Sequence, residues 1–326
     1  MQLVAIDIGG THARFAVATI AADGGVMLGD ITTLATRDHA SFAAAWAAFA
    51  ERASAPLPAA AAIAIAGTVG DATDQSRVIR FTNNPWTIQP AAIHKTLRLE
   101  ALTIINDFDA VGHAVAIASA DQLLPLAGAV GPLPEHGTLS IVGPGTGLGV
   151  AHIWRGRGGY RVQATEGGHL DFAPLDAFED ALLARLRARH RRVSMERVVS
   201  GPGLIDIYET LAMLAGKAVV PQGDKALWQS GLSGEDPLAQ DAIGRFCLSL
   251  GAVAGDIALA QGACGVVIAG GLGLRLKDVL PASGFANRFS AKGRFEAMMA
   301  AMPVKLITHP QPGLLGVVAA FAQEHG

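Results

Sequence analysis

Asp7-Ile8-Gly9-Gly10-Thr11, with Arg14 just beyond, gathers a carboxylate, two glycines, a hydroxyl and a cation within a few residues. Residues 3–6 and 15–17 on either side are apolar, so the segment reads as strand, tight turn, strand. Glycines leave backbone N–H groups bare and let an anion approach the chain, while Thr11 adds a hydroxyl donor. Asp7, at the strand end, puts a carboxylate beside that anion, where a divalent cation would sit. The chemistry on offer is phosphate binding with a metal alongside. Taken alone, the pattern also fits an ordinary hairpin turn.

The design returns. Residues 138–142 lead into Gly143-Pro144-Gly145-Thr146-Gly147-Leu148-Gly149, followed by an apolar run at 150–154, a glycine-rich turn at 156–159 and a strand-like run at 160–162. The first copy has the same order, with its second turn at Asp23-Gly24-Gly25 and a third strand from Val26. Two matching units imply a duplicated architecture with phosphate turns facing each other across a cleft. A third glycine cluster, Ala269-Gly270-Gly271-Leu272-Gly273, follows a buried-strand run at 265–268 and opens a helix-like segment. Glycines at such a junction let a ribose or flat ring lie against backbone. None of the three is followed by Gly-Lys-Ser/Thr, and none matches the Gly-x-Gly-x-x-Gly dinucleotide fingerprint.

Acidic and amide groups stand at element ends, where a rigid scaffold can present them. These are Asn106-Asp107 after a strand, Glu166-Gly167-Gly168-His169 after the second hairpin unit, and Glu196 just before Ser200-Gly201-Pro202-Gly203. Carboxylates accept from two neighbouring hydroxyls at once and histidine can donate or accept, so the set suits a polyol. Each residue also has a structural reading. Asp107 can cap a helix starting near Phe108, His169 can be a satisfied core histidine, and Glu196 can pair with Arg197 or cap the next helix. The two glycines between Glu166 and His169 favour ligand approach.

The elements that must position these groups alternate strand and helix, which predicts an α/β fold with mixed sheets. A helix is expected at 41–53, a buried strand at 61–66, a helix from Pro90, a short strand at 103–105 and a helix at 109–120. Beyond residue 177 the pattern turns helical, with its longest helix at 236–263 and a loop expected at 217–235. A strand at 304–307 and a helix at 313–323 follow. No low-complexity linker intervenes, so two lobes joined by crossing segments near Asp107 and Pro310 are expected: a small lobe of residues 1–108 plus 311–326 and a large lobe of 109–310.

Composition excludes several classes. With 51% hydrophobic and 16% charged residues among 326, the chain has ample core and no disordered character. A net charge of −3 without a basic run gives no footprint for nucleic acid. The basic stretch 185–192 reads as a solvated helix face. Cys247 and Cys264 read as buried free thiols of one helical pattern in a reducing cytosol, too few for a cysteine zinc site. The start lacks a charged leader, and the apolar segment 251–273 is broken by Asp256, Gln261 and glycines, so neither export nor a membrane span is expected.

Taken together, the chain resembles bacterial hexokinase-type glucokinases of the actin, Hsp70 and sugar-kinase superfamily, over essentially its full length. The resemblance is carried by Asp7 to Arg14, Asn106-Asp107-Phe108, Gly143 to Gly149, Glu166-Gly167-Gly168-His169-Leu170-Asp171-Phe172-Ala173-Pro174, Arg197 to Gly203, Ile268 to Gly271 and Pro312 to Gly316. It implies a two-lobed actin-like ATPase (ribonuclease H-like) fold with an interlobe cleft, and ATP-dependent phosphorylation of the glucose 6-hydroxyl with Mg²⁺. By the same resemblance Asp107 is the general base, and Asn83, Asn106, Asp107, Glu166, His169 and Glu196 bind the sugar. Ile6, Asp7, Ile8, Gly9, Gly10, Thr11, Arg14, Gly145, Thr146, Gly270 and Gly271 line the ATP site, and Asp7 supports the metal, through water. A homodimer in the cytoplasm is implied as well. His12 departs from the family pattern, where many relatives have Asn. The cysteine-rich zinc motif of the other large bacterial sugar-kinase family is absent, as is an N-terminal helix-turn-helix, which disfavours a sugar-responsive repressor. A kinase of fructose, mannose or N-acetylglucosamine, or a non-catalytic actin-like nucleotide switch, are the alternatives.

Overall fold

The computed structural model describes residues 1–326 except Thr68, 71–73, Gln75, 82–83, Val220 and Gln222. Asn83, one of the sugar-site expectations, lies outside the described residues. The chain divides into two compact units, Met1–Ala118 with His309–Gly326, and Ser119–Thr308.

The first unit is built on strands β1 (Gln2–Ile8), β2 (His12–Ile20), β3 (Val26–Leu28), β4 (Thr32–Ala35), β5 (Ala60–Ile65) and β8 (Ala101–Asn106), with a separate ribbon of β6 (Ile79–Arg80) and β7 (Thr87–Ile88). The main sheet runs β3-β2-β1-β5-β8, and β4 pairs with the turn end of β2. β1 pairs antiparallel with β2 and parallel with β5, and β5 pairs parallel with β8. Both faces of this sheet are covered, which is why β1 and β5 read as unbroken apolar runs rather than alternating ones. On one face Val4, Ile6, Phe15 and Ile63 meet Phe42, Trp46 and Phe49 of α1 (Phe42–Ala50). Ser41 caps that helix, its hydroxyl accepting from Ala44 N. Helices α2 (Pro90–Leu97) and α3 (Asp107–Ile117) complete the first passage through this unit.

The second unit repeats the plan. Its sheet runs β12-β11-β10-β13-β14-β9, from β9 (Leu123–Ala127), β10 (Gly137–Pro144), β11 (Leu148–Gly156), β12 (Gly159–Thr165), β13 (Ala263–Ile268) and β14 (Val304–Ile307). β10, β11 and β12 are antiparallel, and β10-β13-β14 are parallel, as β3-β2-β1 and β1-β5-β8 are in the first unit. One face carries α4 (Ala177–Arg189), α5 (Met195–Val198), α6 (Gly201–Leu214), α7 (Asp224–Ser233) and α8 (Pro237–Gln261) in a single apolar core with Val142, Val150, Val266 and Ile268. Helices α9 (Gly270–Arg275), α10 (Phe285–Ser290) and α11 (Glu296–Ala301) follow. α8 is long and apolar enough to cross a membrane by length and composition, yet 72% of its most apolar window is buried inside the unit.

The chain then returns to the first unit as α12 (Pro312–His325), whose Leu314, Val317, Val318 and Phe321 lie on an alanine-rich sheet face made by Ala5, Ala16, Ala62 and Ala64, with Ala110 of α3 in the same cluster. The small sheet residues let this helix sit close, and Gly316 lets it press on α3.

Several expectations are corrected or extended. The segment 217–235, read as a loop, contains α7, because Leu227 and Trp228 are buried against α8 and the Trp228 ring meets Phe246 edge-on at 5.1 Å. The basic stretch is the solvated face expected, with Arg187, Arg189, Arg191 and Arg192 exposed, and it also forms ion pairs: Arg185 with Glu209, Arg189 with Asp206 and Arg192 with Asp171. Cys247 is buried in α8, but Cys264 belongs to β13 and is half-buried, so the two thiols do not share a helix.

Candidate active site

In the first unit, the β1–β2 register places Asp7 opposite Arg14, with Arg14 Nη1 3.4 Å from Asp7 Oδ2. The intervening turn is pinned by its carbonyls. Gly9 N donates to His12 O at 2.9 Å, Thr36 N to Thr11 O at 3.0 Å, and Thr36 Oγ1 to Gly10 O at 2.9 Å. Those bonds occupy the carbonyl oxygens of Gly10 and Thr11. Among the described residues the N–H groups of Gly10 and Thr11 have no protein acceptor, which is the state an anion requires. Thr36 had no signal in the sequence.

Asp7 also meets the start of α12, because a β-carbon at Gly313 would stand 2.9 Å from Asp7 Oδ2. The positive end of that helix therefore lies by the carboxylate. Burial raises the Asp7 pKa, while the Arg14 guanidinium opposes the rise through its charge and its hydrogen bond.

Asn106 and Asp107 stand where β8 passes into α3. The helix cap is Asn106, not Asp107: Asn106 Oδ1 accepts from Phe108 N at 2.7 Å and Asp109 N at 3.3 Å, and its Nδ2 donates to Gly67 O at 3.0 Å. This leaves the Asn106 amide one N–H to offer a ligand. Asp107 accepts from Phe108 N at 2.9 Å through Oδ1. Its pKa is raised from 3.8 to about 6, first by burial, then by the Asp7 charge, against the hydrogen bonds from Phe108 and its own N–H and with a smaller push from Asp109. A carboxylate poised near neutrality and held at a strand–helix junction is equipped to take a proton.

In the second unit, the turn Gly145-Thr146-Gly147 joins β10 to β11 in the same way. Gly145 N donates to Gly147 O at 2.8 Å, and Gly145 O accepts from Gly201 N at the start of α6 at 2.8 Å. Glu196 neither pairs with Arg197 nor caps α6. Its Oε2 accepts from Leu148 N at 2.9 Å, so it braces the turn. A side chain on Gly147 would collide with that carboxylate. Gly270, at φ +76°, brings the β13–α9 junction onto the same turn: a β-carbon there would stand 2.6 Å from Pro144 O. Positive φ is a conformation glycine adopts without strain.

Glu166 and His169 flank a 3-10 turn after β12, with His169 Nε2 3.7 Å from Glu166 Oε2. His169 is no core residue, its side chain being 56% exposed. The two glycines are needed for packing: a β-carbon at Gly168 would strike Leu148 O, and one at Gly167 would stand 3.0 Å from Val150 Cγ1. Beside this turn lies a cavity of about 320 Å³, lined by Val150, Leu170, Ile257 and Ala260 with Glu166 and Gln261 at its polar side.

The bracing role of Glu196 is open to test. Glu196→Ala is expected to leave Leu148 N–H unpaired and cost about 1–3 kcal/mol of stability. Glu196→Gln keeps an acceptor oxygen and is expected to restore most of that stability. Chemical denaturation of the three proteins measures the difference, and equal stability of all three would remove the bracing role.

Two sheets with one shared strand plan, each carrying a glycine turn in its antiparallel pair (β1–β2 and β10–β11), define the actin-like ATPase (ribonuclease H-like) fold in the form used by sugar kinases. A glucokinase family model matches residues 3–324. The chain belongs to the glucokinase family. It is 54% identical to the glucokinase of Zymomonas mobilis over 325 residues, covering 100% of this chain and 99% of that protein. Among solved structures it is similar to the glucokinase of an Antarctic psychrotroph, at 30% identity and a TM-score of 0.85, covering 99% of each chain. It also shares its fold with a ROK family glucokinase from Streptomyces griseus in complex with glucose and AMPPNP, at 19% identity and a TM-score of 0.66, covering 99% of this chain and 100% of that one.

Proposed function

We propose that this protein transfers the γ-phosphoryl group of ATP to the 6-hydroxyl of glucose, giving glucose 6-phosphate and ADP. The observation that carries the reading is Asp107, fixed by the Asn106 cap and held near a pKa of about 6. In this reading Asp107 takes the hydroxyl proton as the sugar oxygen bonds to the γ-phosphorus, and the bond from that phosphorus to the bridging β,γ-oxygen breaks to release ADP. The bare amides of Gly10 and Thr11, with Thr11 Oγ1, and the turn at Gly145 and Thr146 hold the phosphates. Gly270 and Gly271 border the adenosine, with Ile6, Ile8 and Arg14 supporting the first turn. Asn106, Glu166, His169 and Glu196 read sugar hydroxyls, Asn83 being part of the same proposal. Such transfer is mainly positioning and charge stabilisation, which is the work these groups are suited to.

Mg²⁺ belongs to the proposal. Asp7 is a hard oxygen donor of the kind Mg²⁺ takes, usually alongside retained water and substrate phosphates, and is the residue that would support it. When bound, the ion offsets negative charge on the phosphates. Cytoplasmic residence, a homodimer, and the absence of nucleic-acid or membrane partners complete the reading.

A coupled assay for ADP release tests it. Glucose is expected to raise ADP production by orders of magnitude over ATP alone, and to do so more than fructose, mannose or N-acetylglucosamine. 6-Deoxyglucose lacks the oxygen that attacks phosphorus and should give no turnover, while analogues lacking a hydroxyl that these side chains bind should lose up to about 10⁴–10⁵ in kcat/KM. ATP consumption indifferent to any hexose would point instead to a nucleotide switch.

A further inference from the structure

His12 occupies the residue after the first phosphate turn, and its Nδ1 lies 2.9 Å from Thr11 Oγ1. Both residues are exposed. One hydrogen sits between these two atoms, and which atom supplies it decides what Thr11 can offer a ligand. A neutral imidazole protonated only at Nε2 accepts the Thr11 hydroxyl proton at Nδ1. Thr11 then presents lone pairs alone, and lone pairs repel a phosphate oxygen. An imidazole carrying hydrogen on Nδ1 donates to Thr11 Oγ1 instead, and the hydroxyl proton is released to point at the phosphate. The doubly protonated ring donates from Nδ1 in every case and adds a positive charge beside the site.

We propose that His12 is a positioning residue for the nucleotide: it sets the direction of the Thr11 hydroxyl, so that binding the phosphate tail and protonating His12 reinforce one another. The proposal rests on the assignment of this turn to ATP. The turn's geometry makes the effect specific. The Gly10 and Thr11 carbonyls accept from Thr36, which fixes the turn that carries the Thr11 hydroxyl. The charged groups on the adjoining elements come as pairs, Asp7 with Arg14 across β1 and β2 and Arg37 with Asp38 in the 3-10 turn that follows β4. Each pair is neutral in sum, and Ala35 opposite His12 in β4 brings no charge.

The test is ATP affinity, measured by calorimetry from pH 5.5 to 8.5 on the wild type, His12→Asn and Thr11→Val. Asparagine can donate permanently to Thr11 Oγ1 and does not titrate. If a ring that donates from Nδ1 favours the phosphate-facing hydroxyl, ATP affinity falls several-fold more across that interval in the wild type than in His12→Asn. ATP's own ionisation is common to all three proteins and cancels in the comparison. Thr11→Val removes the hydroxyl, and the His12→Asn change made on that background should alter affinity by less than it does in the wild type. Equal pH dependence in wild type and His12→Asn, or full effect of His12→Asn in the Thr11→Val background, would overturn the proposal while leaving ATP binding intact. Failure to bind ATP at any pH would overturn the nucleotide assignment together with it.

Discussion

Asp107→Asn is expected to lower kcat by about 10²–10⁴ and, at pH 8, to make the protein more stable than the wild type. Asparagine keeps the oxygen that accepts from Phe108 N, so local geometry is retained. The wild-type carboxyl must ionise in a half-buried place next to Asp7. Its folded pKa, about 6, lies above the ordinary 3.8. A raised carboxylate pKa means that stability is full below the unfolded value and is lost as pH rises through the folded one. The cost at pH 8 reaches up to about 3 kcal/mol, and removing the charge recovers part of it. Thermal melts at pH 8 and pH 3.5 provide the check. The variant should melt several degrees higher at the first pH and equal to the wild type at the second. A variant less stable at pH 8, or one with intact turnover, would contradict the assignment. By the same titration, wild-type turnover in the absence of other limiting groups should decline below about pH 6.

Gly316→Ala should be the most damaging small substitution in the first unit. The added methyl would run into Ala110 O and stand 2.8 Å from Ala114 N, both on the α3 backbone. Backbone cannot rotate aside, so the helices must part, at an expected cost of about 3 kcal/mol or more. The same wedge displaces α3, which begins at Asp107, and α12, which begins beside Asp7. Turnover should therefore fall along with stability, where a purely structural lesion would spare the active fraction. Gly244→Ala is the control: Gly244 is within α8 with nothing near its missing β-carbon, and alanine should stabilise by about 0.5–1 kcal/mol. Urea denaturation and specific activity of the soluble fraction distinguish the two variants.

The parts of the fold that the sequence revealed are those where local chemistry and tertiary demand agree. Apolar runs ending in glycine mark β1, β10 and β13, and the paired turn order exposed the repeated sheet plan. What it hid were features decided at a distance. α7 has polar, glycine-bounded ends and little helical pattern of its own; Leu227 and Trp228 form it by burial against α8. Arg185, Arg189 and Arg192 find their partners on other segments, which no local spacing reveals. At the site, Asp107 was legible as a chemical group, but the division of labour was not: Asn106 holds the helix, freeing Asp107 from that task. The glycines at 167 and 168 signalled a close approach, and the structure adds a neighbour that no local spacing reveals, the β11 strand. Thr36 is silent in sequence because its work is done entirely by bonds to a turn 25 residues or more away.

The route of the chain has a bearing on how the first unit is held together. In sequence, residues 119–308 are inserted between α3 and α12 of the first unit, and α12 supplies the aliphatic side chains that cover its alanine face. Without α12 that face is uncovered and the glycine beside Asp7 is missing. The packing of the first unit thus depends on a segment nearly two hundred residues downstream of α3, and a chain cut before Pro312 is expected to lose stability and turnover together.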